Sequence, residues 1–188
     1  ATRLAEVKLG TGASITGGAN NITTTDLTLS GGGSLTTSGT VTVTDDLTIG
    51  SGTLATTGAL AVTDDVTIGA NGTLTTGAGA FSADAVAVGT SGTLTVGAGG
   101  MTATSTTLAS GATINLGAAF SGTIDSLAAD GNGTVSFTAG QALGGNIGAT
   151  YDVATVSLAS GVILTNGGDK TINTSDLTLD GNSTFNTG

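Results

Sequence analysis

The residues with the clearest capacity for chemistry are aspartates that recur about every 20 positions. They form two adjacent pairs, Asp45-Asp46 and Asp64-Asp65, preceded by Asp26 and followed by Asp84. Carboxylates stacked on neighbouring strands, about 4.8 Å apart, repel one another unless water or a cation lies between them. Hard oxygen ligands suit Ca²⁺. We interpret the six residues as solvated carboxylates that keep the surface soluble, or as a calcium site, although the calcium-binding nonapeptide repeat is absent.

Paired carboxylates also catalyse glycoside cleavage, so an enzyme has to be considered. The chain has no His and no Cys, which removes the usual partners of a nucleophilic serine and any thiolate chemistry. In addition, a catalytic site is normally singular, whereas these aspartates return in each unit. The sequence therefore predicts a protein that is not an enzyme and has no cofactor, apart from a possible calcium ion.

Charge narrows the range of partners. The chain carries 13 acidic and 3 basic residues, a net charge of −10. This balance argues against nucleic acid and against anionic membrane surfaces, because both are bound through Lys and Arg. There is no apolar run of about 18 residues that would span a membrane. The sequence begins without Met or a signal peptide, and we expect a processed chain or a piece of a longer one.

The aspartates belong to a repeat of about 20 residues, seen in DLTLSGGGSLTTSGTVTVT from Asp26, DLTIGSGTLATTGALAVT from Asp46 and DVTIGANGTLTTGAGAFSA from Asp65. Each unit has an acidic corner and three short apolar strands separated by glycine turns. A fixed period of this length predicts a stacked parallel β-solenoid, and the general preference for right-handed crossovers predicts its hand. The main alternative, an antiparallel sandwich or barrel, would not require one constant spacing.

Alternating apolar residues define the predicted core, because alternate side chains of a strand point to opposite faces. They form one column per strand. The first-strand column is Val7, Leu27, Leu47, Val66 and Val86, followed loosely by Leu108; the second is Ile15, Leu35, Leu54, Leu74, Leu94 and Ile114; the third is Val41, Leu60, Phe81 and Met101.

We treat residues 1–188 as one solenoid with three regions. Residues 1–116 are predicted to form regular coils, residues 117–155 irregular or longer coils, and residues 156–188 regular coils again. The last region resembles residues 7–35, most clearly where ITTTDLTLSG matches INTSDLTLDG, which predicts the start of a second super-repeat of about 150 residues. The irregular region holds Phe120, Phe137 and Tyr151, which we consider candidate partner contacts.

Outward threonines flank the second-strand column, as in Thr73-Leu74-Thr75 and Thr93-Leu94-Thr95. Flat arrays of this kind resemble ice-binding solenoids, so ice binding is a minor alternative function. Threonine also simply suits solvent-facing strands, and Ala55 and Asn115 interrupt the array.

The coils DLTIGSGTLATTGALAVT and DVTIGANGTLTTG resemble the repeats of large bacterial surface β-solenoids, such as filamentous-haemagglutinin-type adhesins, autotransporter passengers and giant extracellular repeat proteins. The resemblance implies secretion, a right-handed β-helix and a role in adhesion, matrix or surface-layer structure. We therefore expect an extracellular or cell-surface structural segment of a filament, stalk or surface layer, which associates with itself end to end or laterally. The alternative is an adhesin module that contacts glycans, host cells or neighbouring filaments.

Overall fold

The short alternating runs become β-strands in the computed structural model, which describes residues 3–187 and contains no helix in that range. The strands form three sheets. Sheet A contains β1 (Arg3–Leu9), β3 (Ile22–Leu29), β5 (Val41–Val43), β6 (Leu47–Ile49), β8 (Leu60–Val62), β9 (Val66–Ile68), β11 (Phe81–Val88), β13 (Met101–Leu108) and β15 (Phe120–Ser126). Sheet B contains β2 (Ser14–Gly17), β4 (Ser34–Thr37), β7 (Thr53–Thr56), β10 (Thr73–Thr76), β12 (Thr93–Val96), β14 (Thr113–Leu116), β16 (Asn132–Phe137), β18 (Val153–Leu158) and β20 (Thr174–Leu179). Sheet C contains β17 (Gln141–Ala142), β19 (Ile163–Thr165) and β21 (Thr184–Asn186).

Successive turns of the chain stack in parallel and in register. Sheet B shows this most simply, because its nine strands follow chain order and each pairs with the next. One residue per rung defines its central inward column, spaced 19 to 21 residues apart: Ile15, Leu35, Leu54, Leu74, Leu94, Ile114, Val135, Val156 and Leu177. The prediction of a β-solenoid with three strands per coil and a period of about 20 residues is confirmed, with about 9 turns. Its right hand stays a prediction.

Sheet A holds two strands of most coils. The third strand of one coil and the first strand of the next lie end to end in this sheet, either as one continuous strand, as in β3 and β11, or split into two, as in β5 and β6. Asp45 and Asp46 lie at such a split, whereas Asp26 and Asp84 lie inside continuous strands. These aspartates therefore all lie along sheet A, where the third strand of one coil meets the first strand of the next.

The core is the set of inward side chains between the sheets. Nearly all aliphatic residues of the predicted columns are buried, and burying each one fully contributes about 1.5–3 kcal/mol. The third column is confirmed by the pairing of Val41 with Leu60 and of Phe81 with Met101. The placement of Leu108 after Val86 is wrong. Thr106 lies opposite Val86, and Leu108 occupies the next inward position, opposite Val88.

Glycine is required where the chain turns from sheet B toward sheet A. Gly39, Gly58, Gly79 and Gly99 stack at this corner, and a Cβ on Gly99 would lie 2.1 Å from the carbonyl oxygen of Gly79. Buried threonines stand beside the stack, and the Thr56 hydroxyl donates to the carbonyl oxygens of Gly39 and Gly58, both at 3.3 Å. Two backbone carbonyl groups of the corner thereby gain a side-chain hydrogen-bond donor.

The coils change shape from Gly117 onward. The step along sheet A grows to 23 residues between Ile124 and Ile147 and to 25 between Ile147 and Ile172, where only isolated bridges remain. The third strands now form sheet C instead of continuing sheet A. The longer steps accommodate loops, including the segment 166–171.

The segments that resemble each other in sequence lie in different sheets. Val7 and Leu27 pair within sheet A, whereas their counterparts Val156 and Leu177 pair within sheet B. The two matching segments therefore lie on different sides of the rod, although in each segment the two strands pair with one another on neighbouring coils. The super-repeat itself stays a prediction.

Candidate functional site

The most chemically distinct surface is a stripe of carboxylates on the outer face of sheet A, which we call the acidic stripe. It holds seven of the thirteen acidic residues, in two neighbouring columns across five coils. One column is Glu6, Asp26, Asp46 and Asp65, and the other is Asp45, Asp64 and Asp84. The structure therefore brings together all six aspartates singled out in the sequence.

Several of these carboxylates accept hydrogen bonds from the next coil. The backbone N–H of Asp65 donates to Asp46 Oδ1 and that of Ala85 donates to Asp65 Oδ1, both at 3.2 Å. At the C-terminal end of the stripe, the Thr104 hydroxyl donates to Asp84 Oδ1 at 2.9 Å. The side chains thus satisfy donors of the neighbouring coil, which is an architectural role.

The same type of hydrogen bond, from a backbone N–H to a side-chain oxygen of the preceding coil, recurs outside the acidic stripe and was not predicted from the sequence. In four further places an Asn or Asp side-chain oxygen accepts the backbone N–H of a residue one coil later. These pairs are Asn21 with Thr40, Asp125 with Thr150, Asp130 with Asp152 and Asn146 with Thr171. Their spacing varies from 19 to 25 residues, so no fixed motif would have identified them.

Two groups of carboxylates in the stripe are close enough to share a cation. One oxygen from each of Asp45, Asp46 and Asp64 lies within 4.8 Å of the others, and the same holds for Asp64, Asp65 and Asp84. All five side chains are exposed. The pKa of Asp64, which belongs to both groups, is raised from its ordinary value of 3.8, mainly by the charge of Asp65. Partial desolvation and the other carboxylates act in the same direction.

The calcium site at Asp26, Asp45, Asp46, Asp64, Asp65 and Asp84 stays a prediction. Exposed carboxylates at this spacing are also stable when solvated, at the cost of mutual repulsion. A chelator distinguishes the two interpretations. It should lower the melting temperature if calcium bridges the coils and leave it unchanged if water solvates them.

The outer face of sheet B carries mainly hydroxyl groups, with Asp176 as the one acidic residue of its two outward columns. Its two outward columns are Ser14, Ser34, Thr53, Thr73, Thr93, Thr113, Thr134, Thr155 and Asp176, and Thr16, Thr36, Ala55, Thr75, Thr95, Asn115, Ser136, Ser157 and Thr178. Neighbouring rungs bond to each other in places, as between the Ser136 and Ser157 hydroxyls at 2.8 Å. Ice binding by this face stays a prediction.

The three aromatic residues named as candidate contacts have different positions. Phe120 and Phe137 are buried in the core, where their ring centroids are 6.3 Å apart. Tyr151 is 40% exposed, and the backbone N–H of Ser126, next to the exposed Leu127, donates to its carbonyl oxygen. Of the three, only Tyr151 remains available for a partner.

Core columns reach solvent at the C-terminal coil. Leu177 and Leu179 of β20 are 44% and 50% exposed, although the residues opposite them, Val156 and Leu158, are fully buried. Among the described residues, β20 has a strand neighbour on one side only, β18. Both leucines lie in the region 156–188, which was predicted to form regular coils.

No protein family, curated protein or solved structure matches this chain. Within residues 3–187, no helix is long and apolar enough to cross a membrane.

Proposed function

We propose that this chain is a non-catalytic structural segment of a secreted, repetitive protein that forms an extracellular filament, stalk or surface layer. Its role is to set a fixed distance and to resist bending. Nine coils at about 4.8 Å each make a rod about 45 Å long, in which every coil is hydrogen-bonded to its neighbours.

The observation that carries this proposal is the uninterrupted ladder of sheet B. It passes through all nine rungs with a step of 19 to 21 residues, and its central column is aliphatic throughout. Such a stack gains stability from each added coil, since each coil contacts only its neighbours. A rod of this kind is suited to set distance and stiffness.

The distribution of acidic side chains also supports a structural role. Asp46 and Asp65 accept hydrogen bonds from backbone N–H groups of the next coil. The acidic stripe also spans several equivalent coils and is not confined to one pocket. A surface with this charge stays soluble and repels anionic partners. We infer that the partners are other copies of the chain, joined end to end or laterally.

Electron microscopy of the purified chain and of native material tests this function. Fibres, or arrays with a regular axial repeat, are the expected result. A chain that remains monomeric at high concentration and binds glycans or cells would instead point to the adhesin alternative.

The adhesin alternative has one specific observation in its favour. Tyr151 and Leu127 are both exposed, at 40% and 51%, and lie at the lengthened coils, where Ser126 bonds to Tyr151. Exposed aromatic and large apolar side chains are common in contact sites for glycans and proteins.

A binding assay with the Tyr151→Ala variant separates this alternative from the structural one. Loss of cell or glycan binding with unchanged fibre formation would favour an adhesin. The Tyr151→Phe variant is the matched control, because it keeps the ring and removes only the hydroxyl.

A further inference from the structure

The outer face of sheet A changes its character at a single rung in the middle of the rod. Two outward columns run along this face through seven coils, and each carries polar side chains on all rungs but one. The columns are Glu6, Asp26, Asp46, Asp65, Ala85, Ser105 and Thr123, and Lys8, Thr28, Thr48, Thr67, Ala87, Thr107 and Asp125. Both alanines belong to β11. A feature that occurs once in a repeating stack is more typical of a binding site than of the architecture.

The two alanines form the floor of a small depression, which we call the alanine notch. Its lining side chains are Asp65, Thr67, Ala85, Ala87, Ser105 and Thr107. The floor is half-buried, and the walls stand on the rungs before and after it, about 9.6 Å apart. The notch has a volume of about 110 Å³ and several coils on either side of it. It therefore offers an apolar floor between walls that carry hydroxyl groups and one carboxylate.

Negative charge is concentrated at one end of the notch. Asp65 lines this end, and one of its carboxylate oxygens lies within 4.8 Å of an oxygen of Asp64 and an oxygen of Asp84. The hydrogen bonds from the Ala85 N–H and the Thr104 hydroxyl use only Oδ1 of Asp65 and of Asp84. A cation bound here would also relieve the repulsion, mainly from Asp65, that raises the pKa of Asp64. The notch thus joins an apolar floor to an anionic end.

We propose that the alanine notch binds a lysine side chain of a second, basic protein. Lysine combines an apolar stem of four methylene groups with a compact ammonium group. Its extended side chain reaches about 6 Å from Cα to Nζ, and the two strand residues from Ala87 to Ala85 span about 6.6 Å. The stem lies over the two alanine methyl groups, between Thr67 and Thr107, and the ammonium group reaches Asp65.

Charge complementarity favours a partner other than a second copy of this chain. The chain has 13 acidic and only 3 basic residues, and Lys8 is already paired with Glu6 at 2.7 Å. A lysine-rich protein would be attracted by the whole acidic stripe and then held at the one rung where an alkyl stem finds an apolar floor. This site goes beyond the proposed structural role, because it places a different protein at a defined point along the rod.

A titration followed by NMR, with the alanine methyl groups labelled, tests the contact directly. The probe is n-butylammonium, which is the lysine side chain without its backbone. Its matched control is methylammonium, which has the same charge and no stem. Butylammonium should shift the methyl signals of Ala85 and Ala87 in a saturable manner, and methylammonium at the same concentration should leave them unchanged. Equal shifts with both probes would overturn the proposal.

Variants of the full chain, titrated with pentalysine, separate the notch from the charge around it. Ala87→Leu fills the notch without altering charge and should weaken binding about tenfold, because about two methylene groups lose their apolar cover. Asp65→Asn removes one charge, keeps an oxygen for the backbone N–H that it accepts, and should also weaken binding. Ala55→Leu is the matched control, since Ala55 lies between Thr36 and Thr75 on the outer face of sheet B, away from the stripe. It should bind pentalysine like the unchanged protein, and far-UV circular dichroism confirms that each variant is folded.

Two further results would count against this site. If Ala87→Leu bound pentalysine as tightly as the unchanged protein does, the peptide would be attracted only by the charge of the stripe. If the chain alone formed a dimer in light scattering that both Ala87→Leu and Lys170→Gln abolished, the notch would take a lysine of a second copy and not of a different protein. Neither result bears on the structural role, which fibre formation tests separately.

Discussion

At the scale of single residues, side chains that face the next coil have two roles. Some form hydrogen bonds with backbone groups, and others fill the core between the sheets. Asp46 and Asp65 accept backbone N–H groups, and Thr56 donates to two carbonyl oxygens at the glycine corner. Thr106 lies in the core but satisfies no backbone group there. It is 1% exposed, and within the described part of the chain its hydroxyl has no hydrogen-bond partner.

Replacing Thr106 with Val should stabilise the protein. Its column neighbours are Val86 and Ile124, so a second methyl group fits where the unpaired hydroxyl now stands. An unsatisfied buried hydroxyl costs about 1–3 kcal/mol, and we expect the free energy of unfolding in urea to rise by about 1 kcal/mol. Thr56→Val is the matched control and should lower it by about the same amount, because there the hydroxyl is bonded. A loss of stability in Thr106→Val would show that the hydroxyl has a partner.

Removing the charge of Asp64 should also stabilise the protein near neutral pH. Like-charge repulsion raises the pKa of Asp64 in the folded state above 3.8, so the folded protein holds this proton more tightly than the unfolded chain does. The ionised Asp64 carboxylate therefore lowers the stability of the folded protein at pH values above its folded-state pKa. This destabilisation decreases as the pH falls toward 3.8, where the carboxyl group of the unfolded chain becomes protonated as well.

Thermal melts of Asp64→Asn and of the unchanged protein measure this effect. The variant should melt higher at pH 7 and low salt, and the difference should shrink both in high salt, which screens exposed charges, and as the pH approaches 4. Asp169→Asn, which alters an exposed carboxylate in a distant loop, should change little. A difference that is independent of salt would indicate a cause other than charge.

At the scale of strands and turns, the sequence predicts the regular coils well and the irregular ones poorly. The column from Ile15 to Ile114 is confirmed, because strict alternation and a constant step leave one inward position per rung. Beyond Met101, strand pairing shifts where the single residue Gly122 of β15 faces Ala103 and Thr104. Alternation cannot reveal such a shift. Leu108 was misplaced for another reason: the inward position one coil after Val86 holds the polar residue Thr106, so a search for apolar residues moves on to Leu108.

The same reasoning applies to the candidate site. The six aspartates were identified correctly as a group, since they keep the coil period. Their partners could not be predicted, because a hydrogen bond from Ala85 to Asp65 depends on where the strand bends.

Gly133 in β16 tests how tightly a lengthened coil packs. Its φ of +73° lies in the left-handed region, and an added Cβ would meet the Leu108 Cβ at 2.4 Å. We expect Gly133→Ala to lower the free energy of unfolding by about 2–4 kcal/mol, from backbone strain and overpacking together. Gly131→Ala, with a φ of +80° but nothing within 4 Å, should cost only about 1–2 kcal/mol. Equal losses for the two variants would argue against the close contact with Leu108.

At the scale of the whole molecule, the rod is a stack of nearly interchangeable units, and its properties should follow the number of coils. Thr53 and Thr73 lie opposite each other on adjacent rungs, so the chain between them forms one complete turn. Stability in such an assembly is close to a sum over units and their contacts.

Deleting residues 54–73 should therefore leave a folded rod one coil shorter. Thr53 would then connect to Leu74 in the same phase, and the free energy of unfolding should fall by about one ninth. Deleting residues 54–63 instead would join Thr53 to Asp64 out of phase and should give an unfolded or aggregated chain. Circular dichroism and denaturant titration distinguish the two, and equal behaviour of both deletions would contradict the stacked architecture.

The direction of the inter-coil hydrogen bonds has a mechanical consequence for a rod held at both ends. These bonds run along the axis, whereas the backbone of each coil runs across it, so tension on the termini peels bonds one after another instead of shearing a whole sheet at once. Each coil that opens converts a rise of about 4.8 Å into about 70 Å of extended chain. A single molecule stretched by optical tweezers should lengthen in small, repeated steps of about that size at low force. Such a rod would act as an extensible tether that absorbs a pull coil by coil and rewinds when the load is released.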